Sequence, residues 1–210
     1  MEDFRIRASV PDIARLRTAG AKVVLASHNG RFADAAMNFQ GYSLAPVAEK
    51  LNEYGIPVKF ISKVVGPEVS EAVRDMNPGD VILLENLRSS PGEEAGDGSY
   101  AEEIYQSVQP YAFVNVAFGA AHRGAHASLL PLINIMKQRN PSAPVLGGEL
   151  IQKELSGLQR FLNDPSAGEN GIAVLGGAKP GDKIPVMREI IENRKVKKII
   201  ILGAMSVYFY

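Results

Sequence analysis

Four apolar runs of this chain end in basic, glycine or small polar residues that could together bind a polyanion. The runs and the residues that follow them are Lys22–Ala26 with His28 and Arg31, Val81–Glu85 with Arg88, Ala112–Val116 with His122, Arg123 and His126, and Ile172–Leu175 with Gly176, Gly177, Lys179 and Lys183. Ligands of open α/β sheets bind outside the carboxyl ends of the strands, so parallel strands would bring these cations to one rim. A rim rich in Arg, Lys and His favours a polyanion, most simply a phosphorylated small molecule, because each guanidinium can meet an oxyanion in a bidentate fork.

The composition excludes several other classes of partner and site. The 210 residues carry no formal net charge, which argues against a nucleic-acid surface, and they include no cysteine. Disulfides and thiolate metal sites are therefore excluded, and a reducing compartment is favoured. The acidic N-terminus does not resemble a signal peptide. The last apolar run, Ile199–Tyr210, is too short to span a bilayer and is predicted to begin as a buried strand, so we expect no membrane partner.

Segments with helical spacing alternate with short apolar runs, which is typical of a parallel α/β sheet. Helices are predicted at 5–18, 44–54 with Ser43 as its cap, 66–76, 100–108, 147–162 and 182–193. Strands are predicted at Lys22–Ala26, Val58–Ile61, Val81–Leu84, Ala112–Val116, Ile172–Leu175 and Lys198–Leu202. Val81–Leu84 is continuously apolar, which predicts a strand buried on both faces. Ser89–Ser99, rich in Gly, Ser and acidic residues, is predicted as a loop.

These elements predict an α/β fold class: a three-layer, Rossmann-like lobe with a parallel sheet, followed by an incomplete second α/β lobe. The segment 163–171 is rich in Pro, Gly, Asn and Asp and is the candidate boundary between them. Two strands and one helix cannot enclose a core of their own. We therefore expect the second region to expose apolar surface and to associate with itself or with a partner.

Five motifs in this chain occur in an order that points to one family. They are Arg5–Ala8, Ser27–Arg31 (Ser-His-Asn-Gly-Arg), Leu83–Arg88 (Leu-Leu-Glu-Asn-Leu-Arg), Val114–Arg123 (Val-Asn-Val-Ala-Phe-Gly-Ala-Ala-His-Arg) and Gly176–Lys179 with Asp182 and Lys183. Taken together these motifs resemble those of the phosphoglycerate kinases, and the resemblance runs essentially from end to end of the chain.

The resemblance implies a two-lobed, usually monomeric, cytoplasmic enzyme of glycolysis. Residues 1–147 would form the lobe that binds 3-phosphoglycerate or 1,3-bisphosphoglycerate. Residues 148–163 would form the helix that joins the lobes. Residues 171–210 would begin the lobe that binds Mg-ATP or Mg-ADP, although no metal ligand is identifiable in this chain.

The same resemblance implies a role for each matching residue. His28, Arg31, Arg88 and Arg123 would hold the triose, and Gly176, Gly177 and Lys179 would bind the nucleotide. Arg5 would stabilise the charge on the transferring phosphoryl group, which Lys183 would contact. A generic P-loop fits poorly, because Asp182 stands where that motif requires lysine.

The chain also departs from the family's pattern. It begins inside that pattern and ends soon after the nucleotide lobe begins, so we expect a fragment or an impaired copy. Val116 replaces an aspartate, and Gly124 is an additional residue after Arg123. Three interpretations stay open: a phosphoglycerate kinase or a piece of one, a catalytically dead phosphoglycerate-binding module or partner subunit, and a truncated copy that folds poorly.

Overall fold

The computed structural model describes residues 3–37, 39–164, 166, 170–177, 183–193 and 196–209. Their contacts divide the chain into two compact units, Met1–Gln152 and Lys153–Tyr210. The helices are α1 (Phe4–Thr18), α2 (Phe32–Met37), α3 (Phe39–Tyr42), α4 (Ala45–Glu53), α5 (Pro67–Arg74), α6 (Pro91–Ala95), α7 (Gly98–Val108), α8 (Phe118–Ala121), α9 (Leu130–Arg139), α10 (Glu149–Asn163) and α11 (Ile184–Glu192). The strands are β1 (Val23–Leu25), β2 (Lys59–Ile61), β3 (Val81–Leu84), β4 (Phe113–Asn115), β5 (Val145–Gly147), β6 (Ile172–Gly176) and β7 (Lys198–Leu202). None of the helices in the described part of the chain is long and apolar enough to cross a membrane.

The first unit contains a three-stranded parallel sheet in the order β1-β3-β2, covered on both faces. Val81 and Leu83 of the central strand pack against α1 and α4, whereas Ile82 and Leu84 pack toward α5. All four residues of β3 are buried, because successive side chains of a strand point to opposite faces and both faces carry helices. The three-layer arrangement predicted for this region is therefore present.

A second part of the first unit is built around α7 and α9. Their buried residues, among them Ala101, Ile104, Leu132 and Met136, form one apolar cluster. Phe113 of β4 packs against this cluster, and β4 pairs in parallel with β5. This packing holds the segment after β4, which carries Arg123 and His126.

The second unit is simpler. Strands β6 and β7 pair in parallel over five residues, from Ile172 opposite Lys198 to Gly176 opposite Leu202. Met187 of α11 and Met205 are buried. The burial of both strands alternates, and one face of the pair is exposed.

The α/β class with parallel strands, predicted from the alternating segments, is confirmed, and the predicted strands all form. One local prediction is wrong, and two hold only in part. Segment 89–99 is not a loop, since α6 and the start of α7 lie within it. Leu44, not Ser43, stands at the N-cap position of α4, but the Ser43 hydroxyl does accept from the Ala45 N–H of that helix at 3.2 Å while it donates to Glu85. Strand β7 forms at Lys198–Leu202 as predicted but is not buried, since it exposes alternate residues; a 3₁₀ helix, Gly203–Phe209, follows it. The proposed domain limits stay a prediction.

Candidate functional site

The candidate site lies where β1 and β3 end. These strands are parallel neighbours, so the segments after Leu25 and after Leu84 leave the same edge of the sheet. The two segments contact each other directly, because the Leu87 N–H donates to the Ser27 carbonyl at 3.0 Å. His28 and Arg31 on one segment and Arg88 on the other are therefore brought together by the topology of the sheet.

Glu85, the residue directly after β3, fixes this edge of the sheet through hydrogen bonds. Its side chain is buried, and its Oε1 accepts from the backbone N–H groups of Leu44 at 2.8 Å and Asn86 at 2.7 Å. Its Oε2 accepts from the Ser43 hydroxyl at 2.7 Å. These three bonds satisfy a carboxylate that would otherwise be costly to bury.

Asn86, also fully buried, joins the two segments that carry cations. Its Oδ1 accepts from the N–H groups of Asn29 at 3.2 Å and Arg88 at 3.0 Å. Its Nδ2 donates to the carbonyls of Asn29 at 2.8 Å and Tyr42 at 3.0 Å. One amide side chain thus fixes the loop after β1 against the turn after β3, and no described polar atom of Asn86 is left unpaired.

Arg88 is the most buried cation of the site, with 5% of its surface exposed. Its Nη1 donates to the Gly30 carbonyl, and its Nε lies 3.3 Å from Glu94 Oε1. That Nε makes no hydrogen bond to any described residue. Its contact with Glu94 is therefore an ion pair in which the N–H bond does not point at the carboxylate oxygen. Burial lowers the pKa of Arg88 from its ordinary value; Glu94 opposes this shift, and the charges of Arg123 and Arg31 add to it.

Glu93 holds the loop that carries Arg123 and His126. Its buried carboxylate accepts from the Ser128 N–H at 3.0 Å and from the Ser128 hydroxyl at 2.6 Å. Its Oε1 also lies 3.6 Å from His126 Nδ1. The loop approaches α6 so closely that a Cβ on Gly96, whose φ is +68°, would lie 2.1 Å from the Ala125 carbonyl oxygen. Glycine at this position therefore allows the loop to approach.

The pKa of His28 is influenced by burial and by the cations near it. The pKa of this half-buried imidazole is lowered to about 4, chiefly by burial and then by the charges of Arg88, Arg123, His126 and Arg5, in that order of size. Arg5, in the first turn of α1, and Arg123 are exposed. His28 is consequently neutral at pH 7, with one ring nitrogen able to donate and the other able to accept.

Three of the residues predicted to bind the nucleotide or the phosphoryl group, Gly176, Gly177 and Lys183, lie in the second unit. Gly176 ends β6, Gly177 follows it with φ +146°, and Lys183 is exposed immediately before α11. Lys179 and Asp182 lie outside the described residues. Within the described ranges no group of three or more His, Asp or Glu side chains is placed to hold a metal ion.

Sequence reasoning missed the acidic and amide residues that position the cations. Glu85 and Asn86 lie inside the motif Leu83–Arg88, but no structural or binding role was predicted for them. Glu93 and Glu94 lie in the segment 89–99 that was predicted as a loop. A signal for α6 was present: Ser90-Pro91-Gly92-Glu93 has the spacing of a capping box, and Ser90 does cap α6 through the Gly92 N–H at 3.2 Å. The contacts of Glu85 with residues 41 and 42 positions away had no local signal.

The fold and this edge define a parallel α/β protein with a cluster of cations at the carboxyl ends of its strands. The chain belongs to the phosphoglycerate kinase family, because the family model described as phosphoglycerate kinase matches residues 1–210. It is 40% identical to phosphoglycerate kinase of Synechococcus sp. (strain JA-3-3Ab), over 100% of this chain and 50% of that protein. It is also 40% identical to that of Gloeobacter violaceus, over 99% of this chain and 47% of the relative.

Solved structures agree with this placement. The crystal structure of phosphoglycerate kinase from Pyrococcus horikoshii OT3 matches with a TM-score of 0.80 and 26% identity, over 99% of this chain and 50% of that one. The structure of phosphoglycerate kinase from Coxiella burnetii matches with a TM-score of 0.73 and 27% identity, over 100% and 49%. The chain therefore spans about half the length of the relatives it matches.

Proposed function

We propose that the cation cluster at the ends of β1 and β3 binds 3-phosphoglycerate or 1,3-bisphosphoglycerate. The observation that carries this proposal is the direct contact between the segments after β1 and β3, which brings His28 and Arg31 beside the buried Arg88. Burial is the largest cause of the lowered pKa of His28, and the charges of Arg88, Arg123, His126 and Arg5 add to it. A place where cations accumulate favours a ligand with several negative charges. Membership of the family makes a phosphorylated three-carbon acid the natural candidate.

In this proposal the buried and the exposed cations contact different parts of the ligand. Arg88, buried and oriented by Asn86, holds one anionic group at the base of the site, with neutral His28 as a hydrogen-bond partner. Arg31 and Arg123, both exposed, close on the ligand from the solvent side. Guanidinium groups suit this task because their planar forks match carboxylate and phosphate oxygens.

The activity proposed for the whole protein is phosphoryl transfer between 1,3-bisphosphoglycerate and ADP, giving 3-phosphoglycerate and ATP in the cytoplasm. Such transfer depends on positioning and on charge stabilisation rather than on a protein nucleophile. Arg5 would stabilise the transferring phosphoryl group and Lys183 would contact it. Gly176, Gly177 and Lys179 would bind the nucleotide, which brings Mg²⁺ as part of the substrate.

A second candidate is a module that binds phosphoglycerate without transferring phosphate. Val116 favours it, because this apolar residue stands where the resemblance implies an aspartate. Its Cγ1 packs so closely on Gly148 that a Cβ there would lie 2.5 Å away. An acceptor expected beside the site is therefore replaced by an apolar contact.

Calorimetric titration with 3-phosphoglycerate tests the binding proposal. We compare the unaltered chain with Arg31→Ala and with Arg74→Ala, an exposed arginine at the end of α5 that serves as the charge-matched control. Loss of a charge-assisted contact should weaken binding by about tenfold or more for Arg31→Ala, whereas Arg74→Ala should bind like the unaltered chain. Equal affinities in all three chains, or no saturable binding by a folded chain, would refute the proposal.

A coupled assay for ATP formation from 1,3-bisphosphoglycerate and ADP separates the two candidates. Turnover that Arg5→Ala abolishes would support the transferase. Saturable binding of 3-phosphoglycerate with no turnover would favour the binding module.

A further inference from the structure

We infer that Glu94 is an internal counter-anion of the cation cluster, which an anionic ligand must displace from Arg88 in order to bind. The inference deepens the proposed function and rests on it only in the identity of the ligand. It concerns a carboxylate to which neither the family resemblance nor the sequence assigned a role.

Arg88 presents an unsatisfied donor to Glu94. The arginine side chain is only 6% exposed, and its Nε makes no hydrogen bond within the described part of the chain. A buried charged donor without a hydrogen bond is costly, and a site built for an anion is one place where such a donor is retained. The only contact recorded for that nitrogen among the described residues is the Glu94 carboxylate, at 3.3 Å.

The two neighbouring carboxylates of α6 are held very differently. Glu93 is buried and takes a bond as short as 2.6 Å from the Ser128 hydroxyl, which fits a permanent structural role. The Glu94 side chain is 31% exposed, and its oxygens meet Arg88 Nε at 3.3 Å and the Phe32 N–H at 3.4 Å. Glu94 can therefore leave Arg88 and remain solvated, whereas Glu93 cannot.

The charges around Arg88 explain why a counter-anion is present. The positive charges of Arg31 and Arg123 lower the pKa of Arg88, because they disfavour its charged form. Among the charges that raise this pKa, Glu94 is the largest. A buried cation without compensation destabilises a fold strongly. Glu94 supplies that compensation in the ligand-free chain, and a phosphate or carboxylate group of a ligand can supply it instead. While Glu94 remains beside Arg88, its negative charge opposes the ligand.

The inference predicts opposite effects of one substitution on stability and on affinity. In Glu94→Gln the melting temperature should fall in chloride, because Arg88 loses its counter-charge. Inorganic phosphate at the same pH and ionic strength should restore a larger part of the stability than it does in the unaltered chain. The same variant should bind 3-phosphoglycerate about three to ten times more tightly, as expected when one repelling charge near a partly solvated site is removed.

Glu102→Gln is the matched control. Glu102 is 37% exposed and pairs with Arg139 at 2.9 Å, so it has a similar exposure and the same type of partner outside the cluster. It changes the net charge equally, and it should alter neither the phosphate dependence of the melting temperature nor the affinity. Glu94→Asp, which keeps the charge but shortens the side chain, should lie between Glu94→Gln and the unaltered chain; it also provides the test if the glutamine variant does not fold.

The experiment distinguishes this inference from the proposed function. If Glu94→Gln or Glu94→Asp binds 3-phosphoglycerate no more tightly than the unaltered chain, or if phosphate stabilises it no more than Glu102→Gln, the inference is wrong. If 3-phosphoglycerate binds to no variant while phosphate still stabilises Glu94→Gln selectively, the inference holds as an anion effect. In that case the proposed ligand is wrong.

Discussion

Two of the three parallel sheets in the described part of the chain, β1-β3-β2 and β6-β7, contrast sharply in how they are covered. In the first unit, Val81–Leu84 forms a central strand whose four side chains are all buried. In the second unit, the same kind of strand pair leaves one apolar face open, with Ile172 55%, Val174 59%, Ile200 43% and Leu202 51% exposed. The sequence of both regions is equally apolar, so composition does not account for the difference.

What differs is the set of elements that each sheet has available. Helices α1, α4 and α5 cover both faces of the first sheet, and parallel sheets are stable when both faces are covered. His28, Arg31 and Arg88 of the candidate site follow strands of this fully packed sheet, which suits a site whose geometry must be rigid. Gly177 and Lys183, which were predicted as site residues, follow β6 of the less covered sheet.

The largest effect should come from removing the same side chain from each sheet. Ile82→Ala should lower the free energy of unfolding by about 2 to 5 kcal/mol, because it removes a buried side chain and leaves a cavity. Ile200→Ala should cost about 1 kcal/mol or less, since 43% of Ile200 is already exposed. Urea denaturation followed by circular dichroism measures both. Equal costs would mean that the second sheet is covered in solution.

Glu85 offers the next largest effect and links stability to the site. Glu85→Ala should lower the free energy of unfolding by about 3 kcal/mol or more, because it leaves two buried N–H groups and the partly buried Ser43 hydroxyl without their acceptor. Glu85→Gln should cost far less: its Oε1 can accept from Leu44 and Asn86, while its Nε2 donates to the Ser43 hydroxyl, which can accept. Thermal unfolding of the two variants checks this, and a glutamine as damaging as alanine would contradict the hydrogen-bond assignment.

The exposed face of the second sheet predicts self-association rather than a loss of fold. A contiguous apolar patch on β6 and β7 favours contact with another surface. Val174→Lys places a charge in its centre and should change the free energy of unfolding by only about 0.5 kcal/mol. Sedimentation velocity at increasing concentration should show association of the unaltered chain that the variant reduces. If the unaltered chain stays monomeric, the patch does not drive association.

His28 predicts an effect on stability that is confined to acidic pH. Its pKa is about 4 in the folded chain against an ordinary value of 6.5. The unfolded chain therefore takes up its proton at a higher pH, and stability should fall as the pH drops from about 6.5 to about 4. Solvent screening of a half-buried group limits this loss to about 1 kcal/mol. His28→Gln should flatten this part of the pH profile of unfolding; an unchanged slope would remove His28 as its cause.

The strands were predictable because their signal is local. Val81–Leu84 is an uninterrupted apolar run bounded by a turn, Asn77–Asp80, and such a pattern needs no tertiary information. The short helices α2, α3 and α8 lack a repeating apolar face, so periodicity could not find them. Strand β5 is only three residues long, and its pairing with β4 depends on distant packing.

The proximity of Arg88 and His28 was predictable, but the residues that hold them in place were not. Arg88 and His28 follow strands whose parallel pairing brings them together, a consequence of topology. Asn86, by contrast, bonds to Asn29, 57 positions away, and to Tyr42, 44 positions away. No local pattern distinguishes such a buried amide from an exposed one, because burial is decided only by the tertiary fold.

The central claim is that His28, Arg88, Arg123 and Arg5 surround one anion-binding place. The chain has three histidines, His28, His122 and His126, so their imidazole NMR signals can be resolved and followed singly. We would titrate the folded chain with 3-phosphoglycerate and record these signals across pH. The account predicts saturable shifts at His28 and a rise of its pKa from about 4, because a bound anion offsets the surrounding positive charge. An unchanged His28 pKa at saturating ligand, in a chain shown to be folded, would contradict it.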